Sequence, residues 1–292
     1  MPELPEVETV RRGLAEHITG AAMKSVRVLE NRSIRQHALG ARDFEDQLAG
    51  LTIECVSRRG KFLWLPLRRG NNSTGTALVC HLGMSGQALL VPRSEPMAKH
   101  ARIQIQLKST DFELHFVDQR MFGGMHVDEL VAGDAGDRLP RSVTHIARDV
   151  LDPLFDEKSV ITALRRRSAG IKSLLLNQNL LSGIGNIYAD EALWRSKIHY
   201  ATPGSALSAS KLSQLLHHVQ AVMIAALAAG GTTFDDLYVG VNGESGWFDL
   251  SLEAYGQEGM PCSRCGAAIV REAWSNRSSH RCPRCQRAPR QG

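Results

Sequence analysis

Apolar residues at the start of the chain recur at helical spacing. Val7, Val10, Leu14 and Ile18 fall three and four apart and predict an amphipathic helix through about Ile18. Pro5 suits the first turn, where its missing N–H costs nothing, and Glu3, Glu6 and Glu8 lie near the positive end of the dipole. The period then changes. "SVRVLE", "LTIECVS", "KFLWLPL", "TALVCHL", "QALLV", "RIQIQLK" and "FELHFVD" alternate or are β-branched, and turn signals such as "RRGNNSTG" at 68–75 separate them. Seven such runs between 25 and 118 predict a β-sandwich or barrel. In "GGMHVDELVAGDAGDRLP" the glycines, aspartates and proline predict a linker over 128–145, after a first domain spanning 2–127. Helical periods follow in "SVITALRRR", "GIKSLLLNQNLL", "NIYADEALWRSK" and "ALSASKLSQLLHHVQAVMIAALAAGG", the last stopped by paired glycines. A helical domain is therefore expected over 146–246 and a small cysteine-bearing module over 247–292, an α+β chain with any deep cleft between its two large domains.

Length and composition sharpen this only in part. At 292 residues two domains are favoured, and 43% hydrophobic with 22% charged residues is ordinary for a globular protein. The net charge of +5 is small, but its distribution is uneven. From Cys262 to Gly292 seven arginines stand against the single acid Glu272, so the tail alone holds +6. Such a tail is a solvated arm or, tied to a folded module, a nucleic-acid footprint. No secretory signal opens the chain, and the apolar run "AVMIAALAA" at 221–229 is too short to span a bilayer, so no membrane partner is expected. With four of six cysteines crowded near one end, a reduced cytoplasmic chain is a better reading than a disulfide framework.

The cysteines carry the sharpest chemistry. Cys262, Cys265, Cys282 and Cys285 form C-x2-C-x16-C-x2-C, the spacing of a tetrahedral zinc site with a β-hairpin between its knuckles. Four thiolates leave no open position, so one zinc ion per chain would be structural; a redox pair would need only two of the four. Ser182 to Asn186 form a Gly-rich turn opening a helix, a geometry that offers backbone N–H groups to phosphate and also serves purely steric joins. "HLGMSG" at 81–86 and "DQRMFGG" at 118–124 are turns that each carry a bulky residue beside glycines. Met84 and Phe122 would ordinarily be core residues, although the same pattern suits a wedge that unstacks a duplex. Nothing in these patterns explains why Pro2 follows the initiator Met.

These pieces in order carry a resemblance. "PELPEVET", "RRGKF", "HLGMSG", "DQRMFG", "GIGNIYADE", "GGTTF" and "NRSSHRCPRCQ" span nearly the whole chain. The sequence resembles the formamidopyrimidine-DNA glycosylases, the bacterial 8-oxoguanine repair family that includes endonuclease VIII. The resemblance implies a helical domain with a helix–two-turn–helix motif and a zinc-finger β-hairpin. It implies a bifunctional base-excision enzyme acting on damaged double-stranded DNA, without a nucleotide cofactor, as a monomer in the cytoplasm on nucleoid DNA. Pro2, freed of Met1, would be the Schiff-base nucleophile, and an α-amine with a pKa of about 8 is partly unprotonated at neutral pH. Glu3 would be the general acid/base and Glu6 a supporting carboxylate, with Lys61 and Arg277 completing the catalytic set. DNA would be held by Lys61, His100, Lys172, Asn186 and Arg277, and Met84, Arg120 and Phe122 would fill the hole left by the flipped nucleotide.

Two features depart from or escape the pattern. Gln119 and Met121 stand where the family's wedge loop has Pro and a second Arg, which bears on opposite-base selectivity. The segment 232–248 corresponds to the family's loop over the flipped base, and its lesion contacts are not assigned. The rivals are an endonuclease VIII-like enzyme for oxidised pyrimidines, opposed by "PELPEV", and a catalytically silent DNA-binding relative, opposed by Pro2, Glu3 and Lys61.

Overall fold

Helix α1 (Leu4–Ile18) forms as its spacing requires, with Pro5 in its first turn and Val7, Val10, Leu14 and Ile18 buried. Each such side chain contributes roughly 1.5–3 kcal/mol by leaving water. The structure, a computed structural model, describes residues 2–231, 241 and 252–289. The chain separates into two compact units, Met1–His145 with Ala229–Trp247, and Ile146–Ala228 with Phe248–Gly292.

The first unit continues with β1 (Met23–Val28), α2 (Gly40–Leu48), β2 (Thr52–Ile53), β3 (Ser57–Arg59), β4 (Phe62–Arg69) and β5 (Asn72–His81). It ends with β6 (Gly86–Pro92), β7 (Ala101–Leu107), β8 (Phe112–Asp118), β9 (Gly124–Ala132) and β10 (Arg138–Pro140). One sheet runs β1-β7-β8-β6; the other runs β10-β9-β5-β4-β2, with β3 also pairing β4. Leu63, Leu65 and Leu78 of one sheet and Ile103, Ile105, Leu114 and Phe116 of the other share a single core with α1. That is the sandwich the alternation predicts.

Two expectations are corrected, and one helix was not anticipated. "LTIECVS" is not one strand: Thr52 and Ile53 pair Arg68 and Leu67, whereas Ser57 pairs Trp64. Between them lies Pro66, which has no N–H to give, and β4 shifts register against β5 between Pro66 and Arg68. Helix α2 escaped the pattern because its buried face is only Phe44 and Leu48, too short a stripe for a period. The 128–145 linker begins inside the sheet and returns to it: β9 pairs β5 from Thr76↔Glu129 to His81↔Gly124, and β10 pairs β9. Asp128, a turn signal in the sequence, accepts the Ser142 N–H at 2.7 Å beside this sheet edge.

The second unit holds α3 (Glu157–Arg165), α4 (Ile171–Leu175), α5 (Asn186–Ser196) and α6 (Ala209–Ala228), then the hairpin β11 (Val270–Trp274) and β12 (Arg277–Arg281). Asp156 caps α3 by accepting the Ser159 N–H at 3.1 Å, and Gly230 (φ 77°) follows the end of α6. The cysteine module packs within this unit. Trp194 of α5 packs with Ala254, Cys262, Ile269 and Cys282, and buried Glu191 accepts the Ala254 and Tyr255 N–H groups at 2.8 and 2.9 Å. Among the described residues no helix is long and apolar enough to cross a membrane.

Candidate active site and nucleic-acid interface

Pro2 is buried immediately before α1, and Glu3 is that helix's N-cap. The Glu3 N–H donates to Glu6 Oε2 at 2.9 Å, while the Glu3 carboxylate accepts the Glu6 N–H, a reciprocal capping box. Glu3 and Glu6 are only 2% and 7% exposed, so two carboxylates are held in low dielectric next to Pro2. Gly231 (φ 95°) closes over them: a Cβ there would lie 3.3 Å from Glu6 Cγ.

Lys61 sits in the tight β3–β4 turn, where Gly60 takes φ 55°. That turn is tied to α1 by a relay. Arg58 Nε donates to Glu8 Oε2 at 3.0 Å, and Arg58 Nη1 donates to the Gly60 carbonyl at 3.0 Å. Burial pushes the Glu8 carboxyl up, but hydrogen bonds from Arg11, Arg58 and Arg12 outweigh it and hold it at about 2. The Pro2–Glu3 corner and Lys61 are thus carried by elements braced to one another.

Sequence reasoning missed His81, the first residue of "HLGMSG". Its Nδ1 accepts the Gly83 N–H at 3.1 Å, which leaves the proton on Nε2. Burial, and then the charges of Lys61 and Arg35, depress its pKa to about 4, so it is a neutral donor at physiological pH. No sequence signal marked it, because Lys61 is 20 positions away and meets it only through the fold.

Met84 and Phe122 are 38% and 49% exposed, against the core reading and in line with the wedge. Arg120 is exposed beside them, on a loop that passes through a left-handed Met121 (φ 55°). Arg35 supports the loop from behind, donating to the Phe122 and Gly123 carbonyls at 2.7 Å each. His100 (φ 64°) lies at its base, and its carbonyl accepts the Asp118 N–H at 3.1 Å. The 232–248 loop falls, apart from Val241, outside the described residues.

In the second unit, Gln178 shapes the turn before α5 by accepting from Gly183 at 2.9 Å and donating to Ile184 at 3.0 Å. Asn186, the first residue of α5, donates through Nδ2 to the Ser278 carbonyl at 3.0 Å. Arg277 is exposed on the hairpin, next to a two-residue turn in which Ser275 and Asn276 both take positive φ. Lys172 departs from the phosphate-contact expectation. It is fully buried, 2.6 Å from Asp190 Oδ1 and 3.0 Å from the Ser278 carbonyl, with its ammonium 4.9 Å from the Trp274 ring centroid. Asp190 in turn accepts from Ser279 Oγ at 3.0 Å and the His280 N–H at 2.9 Å. A lysine with no exposed surface cannot reach a phosphate in this arrangement; it fastens helices α4 and α5 to the hairpin.

The four cysteine Sγ atoms lie within 4.8 Å of one another, with Cys265 3.4 Å from Cys282 and 3.6 Å from Cys285. A tetrahedral ion with Zn–S bonds of about 2.3 Å spaces its sulfurs about 3.8 Å apart, so the cluster fits one zinc. Arg264 stacks on Trp194 at 3.6 Å beside it, placing a cation next to a centre with surplus thiolate charge.

Pro2 buried before a capping box of two buried carboxylates in a sandwich unit, and a hairpin closed by four clustered cysteines in a helical unit, define a class of two-unit zinc-finger proteins. Sequence comparison agrees. The pattern of the formamidopyrimidine-DNA glycosylase N-terminal domain matches residues 1–125, the H2TH domain of that enzyme matches 146–237, and a zinc finger found in FPG and IleRS matches 259–288. The formamidopyrimidine-DNA glycosylases of Thermobifida fusca and Rhodococcus erythropolis are 52% and 55% identical, each comparison covering 99% of this chain and 99% and 98% of theirs. A crystal structure of a Lactococcus lactis FPG mutant with Fapy-dG-containing DNA superposes with a TM-score of 0.84 at 31% identity, over 98% of this chain and all of that one. MutM in complex with DNA containing carbocyclic 8-oxo-G gives 0.83 at 31% identity, with the same coverage. The chain belongs to the formamidopyrimidine-DNA glycosylase family.

Proposed function

We propose that this protein is a base-excision repair enzyme that removes 8-oxoguanine and formamidopyrimidines from duplex DNA and then cleaves the strand. Pro2, freed of Met1, adds through its secondary amine to C1′ of the flipped nucleotide as the base departs. The C1′–O4′ bond then breaks as O4′ takes a proton, which opens the sugar to an iminium and weakens the C2′–H bond; loss of that proton expels the 3′ phosphate, and a second elimination expels the 5′ phosphate. Glu3, buried beside the amine, handles protons at the sugar and the leaving base, and Glu6 holds its backbone in place. Lys61 and His81 hold the phosphate beside the lesion, Asn186 and Arg277 those reached by the second unit, and His100 supports the wedge. Met84, Arg120 and Phe122 occupy the vacated stack, offsetting the few kcal/mol that extrusion costs. Cys262, Cys265, Cys282 and Cys285 hold a structural zinc. The enzyme acts as a monomer in the cytoplasm on nucleoid DNA and uses no nucleotide cofactor.

The observation that carries the reading is the N-terminal corner, where an imino acid is followed by a capping box of two buried carboxylates. Incision of duplexes containing 8-oxoguanine or thymine glycol tests it. The expected result is preference for 8-oxoguanine, with Pro2→Gly abolishing normal strand cleavage. Preference for thymine glycol would instead favour the oxidised-pyrimidine branch, and no incision of either would favour a silent DNA-binding relative.

A further inference from the structure

The two wedge loops are separate crossings between the sheets, β5 to β6 and β8 to β9, yet one side chain joins them. Asp118, the last residue of β8, is fully buried. Its Oδ1 accepts from the Ser85 hydroxyl at 2.5 Å and the Arg120 N–H at 3.2 Å, and its Oδ2 accepts from the Gly123 N–H at 2.8 Å. Ser85 Oγ also accepts the Arg120 N–H, at 3.1 Å. The loop backbones also abut closely: a Cβ on Gly83 would run into Gly123, and one on Gly123 would lie 2.7 Å from the His81 carbonyl oxygen. Both carboxylate oxygens accept from donors here, so one group satisfies both loops.

We propose that Asp118 is a positioning residue that fuses the Met84 loop and the Arg120–Phe122 loop into one rigid wedge, so that all three side chains enter the duplex together. The ordering cost of the wedge is then met on folding and not at each encounter with DNA. Met121 is held in the left-handed region (φ 55°), a conformation that a firmly fixed loop sustains. This inference rests on the glycosylase reading above.

Asp118→Asn keeps the shape but turns an amide NH2 toward a donor. The test compares the full-length zinc-loaded protein and this variant on two substrates. One is an 8-oxoguanine duplex under single turnover; the other is a single-stranded abasic oligonucleotide, which has no opposite strand and no stack to fill. Duplex excision is expected to fall by about tenfold or more, the loss of one buried acceptor, while single-strand cleavage changes less than about twofold. In the Asp118→Asn background, Phe122→Ala is expected to add less than about a third of its parental effect, because a loosened wedge has already lost that contribution. Equal losses on both substrates, no loss on either, or a full parental effect of Phe122→Ala would overturn the proposal. Should Asp118→Asn fail to fold, Ser85→Ala is expected to show the same split at smaller size, about threefold on duplex, and no split would overturn the proposal equally. A native enzyme silent on both substrates would overturn the glycosylase reading, and this inference with it.

Discussion

Replacing Lys172 by Met removes the cation from a fully buried pair and leaves Asp190, itself 1% exposed, with the Ser279 hydroxyl, the His280 N–H and the His280 ring, whose Nδ1 is 3.5 Å away. Breaking one side of such a pair costs about 3–5 kcal/mol, because the remaining charge is buried without its counter-ion. Two hydrogen bonds persist, so the lower end applies, about 3 kcal/mol. For a unit of this size that is a fall of roughly 10 °C in the unfolding midpoint, measured by calorimetry on zinc-loaded protein. Adding Asp190→Asn, which removes the stranded charge and keeps an acceptor for His280, is expected to restore roughly half of the loss. A phosphate contact would behave differently. Its removal would lower the salt dependence of duplex affinity by about 0.9 in the slope of log K against log salt. The structure leads us to expect an unchanged slope for Lys172→Met and a reduced one for Arg277→Ala. An unchanged midpoint with a slope lowered by about one for Lys172→Met would refute the reasoning.

Other expectations follow from the same geometry. Phe122→Ala removes an exposed ring, so stability should change by less than about 0.5 kcal/mol while excision from duplex slows markedly; a large loss of stability would restore the core reading. Denaturing the protein in the presence of a metallochromic dye should release one zinc per chain, and Cys282→Ala should release none. Stability should decline in acid with a definite sign. His81 has a pKa of about 4 in the folded state against about 6.5 unfolded, so its contribution is complete above 6.5 and is lost as pH falls toward 4. At about 1.4 kcal/mol per unit this amounts to about 3 kcal/mol, and His81→Gln should flatten that stretch of the curve. Glu8, held at about 2, adds a further loss as pH falls from 4.5 toward 2.

What the sequence made legible was local. Helix α1, the alternating strands and the cysteine knuckles each depend on residues within one period or one turn of each other. The parts that stayed hidden depend on distant partners. Arg58 meets Glu8 across 50 positions, Asp190 meets Ser279 across 89, and Ser85 meets Asp118 across 33. Composition misled at 128–145, where Asp128 and Glu129 read as a turn although β9 pairs β5 there, while their carboxylates reach Ser142 and Arg141. Resemblance supplied Met84 and Phe122, whose exposure no periodicity could announce, and it could not show that the Lys172 ammonium faces Asp190 inside the unit. Sequence similarity transfers residue identity well; whether a cation faces water or a carboxylate is decided by packing.

Trapping with borohydride is the most direct test of the central claim. The mature protein is incubated with an 8-oxoguanine duplex, reduced, digested and analysed by peptide mass spectrometry. The account requires a covalent adduct on a peptide that begins at Pro2 and lacks Met1. An adduct on a lysine, or full incision activity from protein that retains Met1, would contradict it.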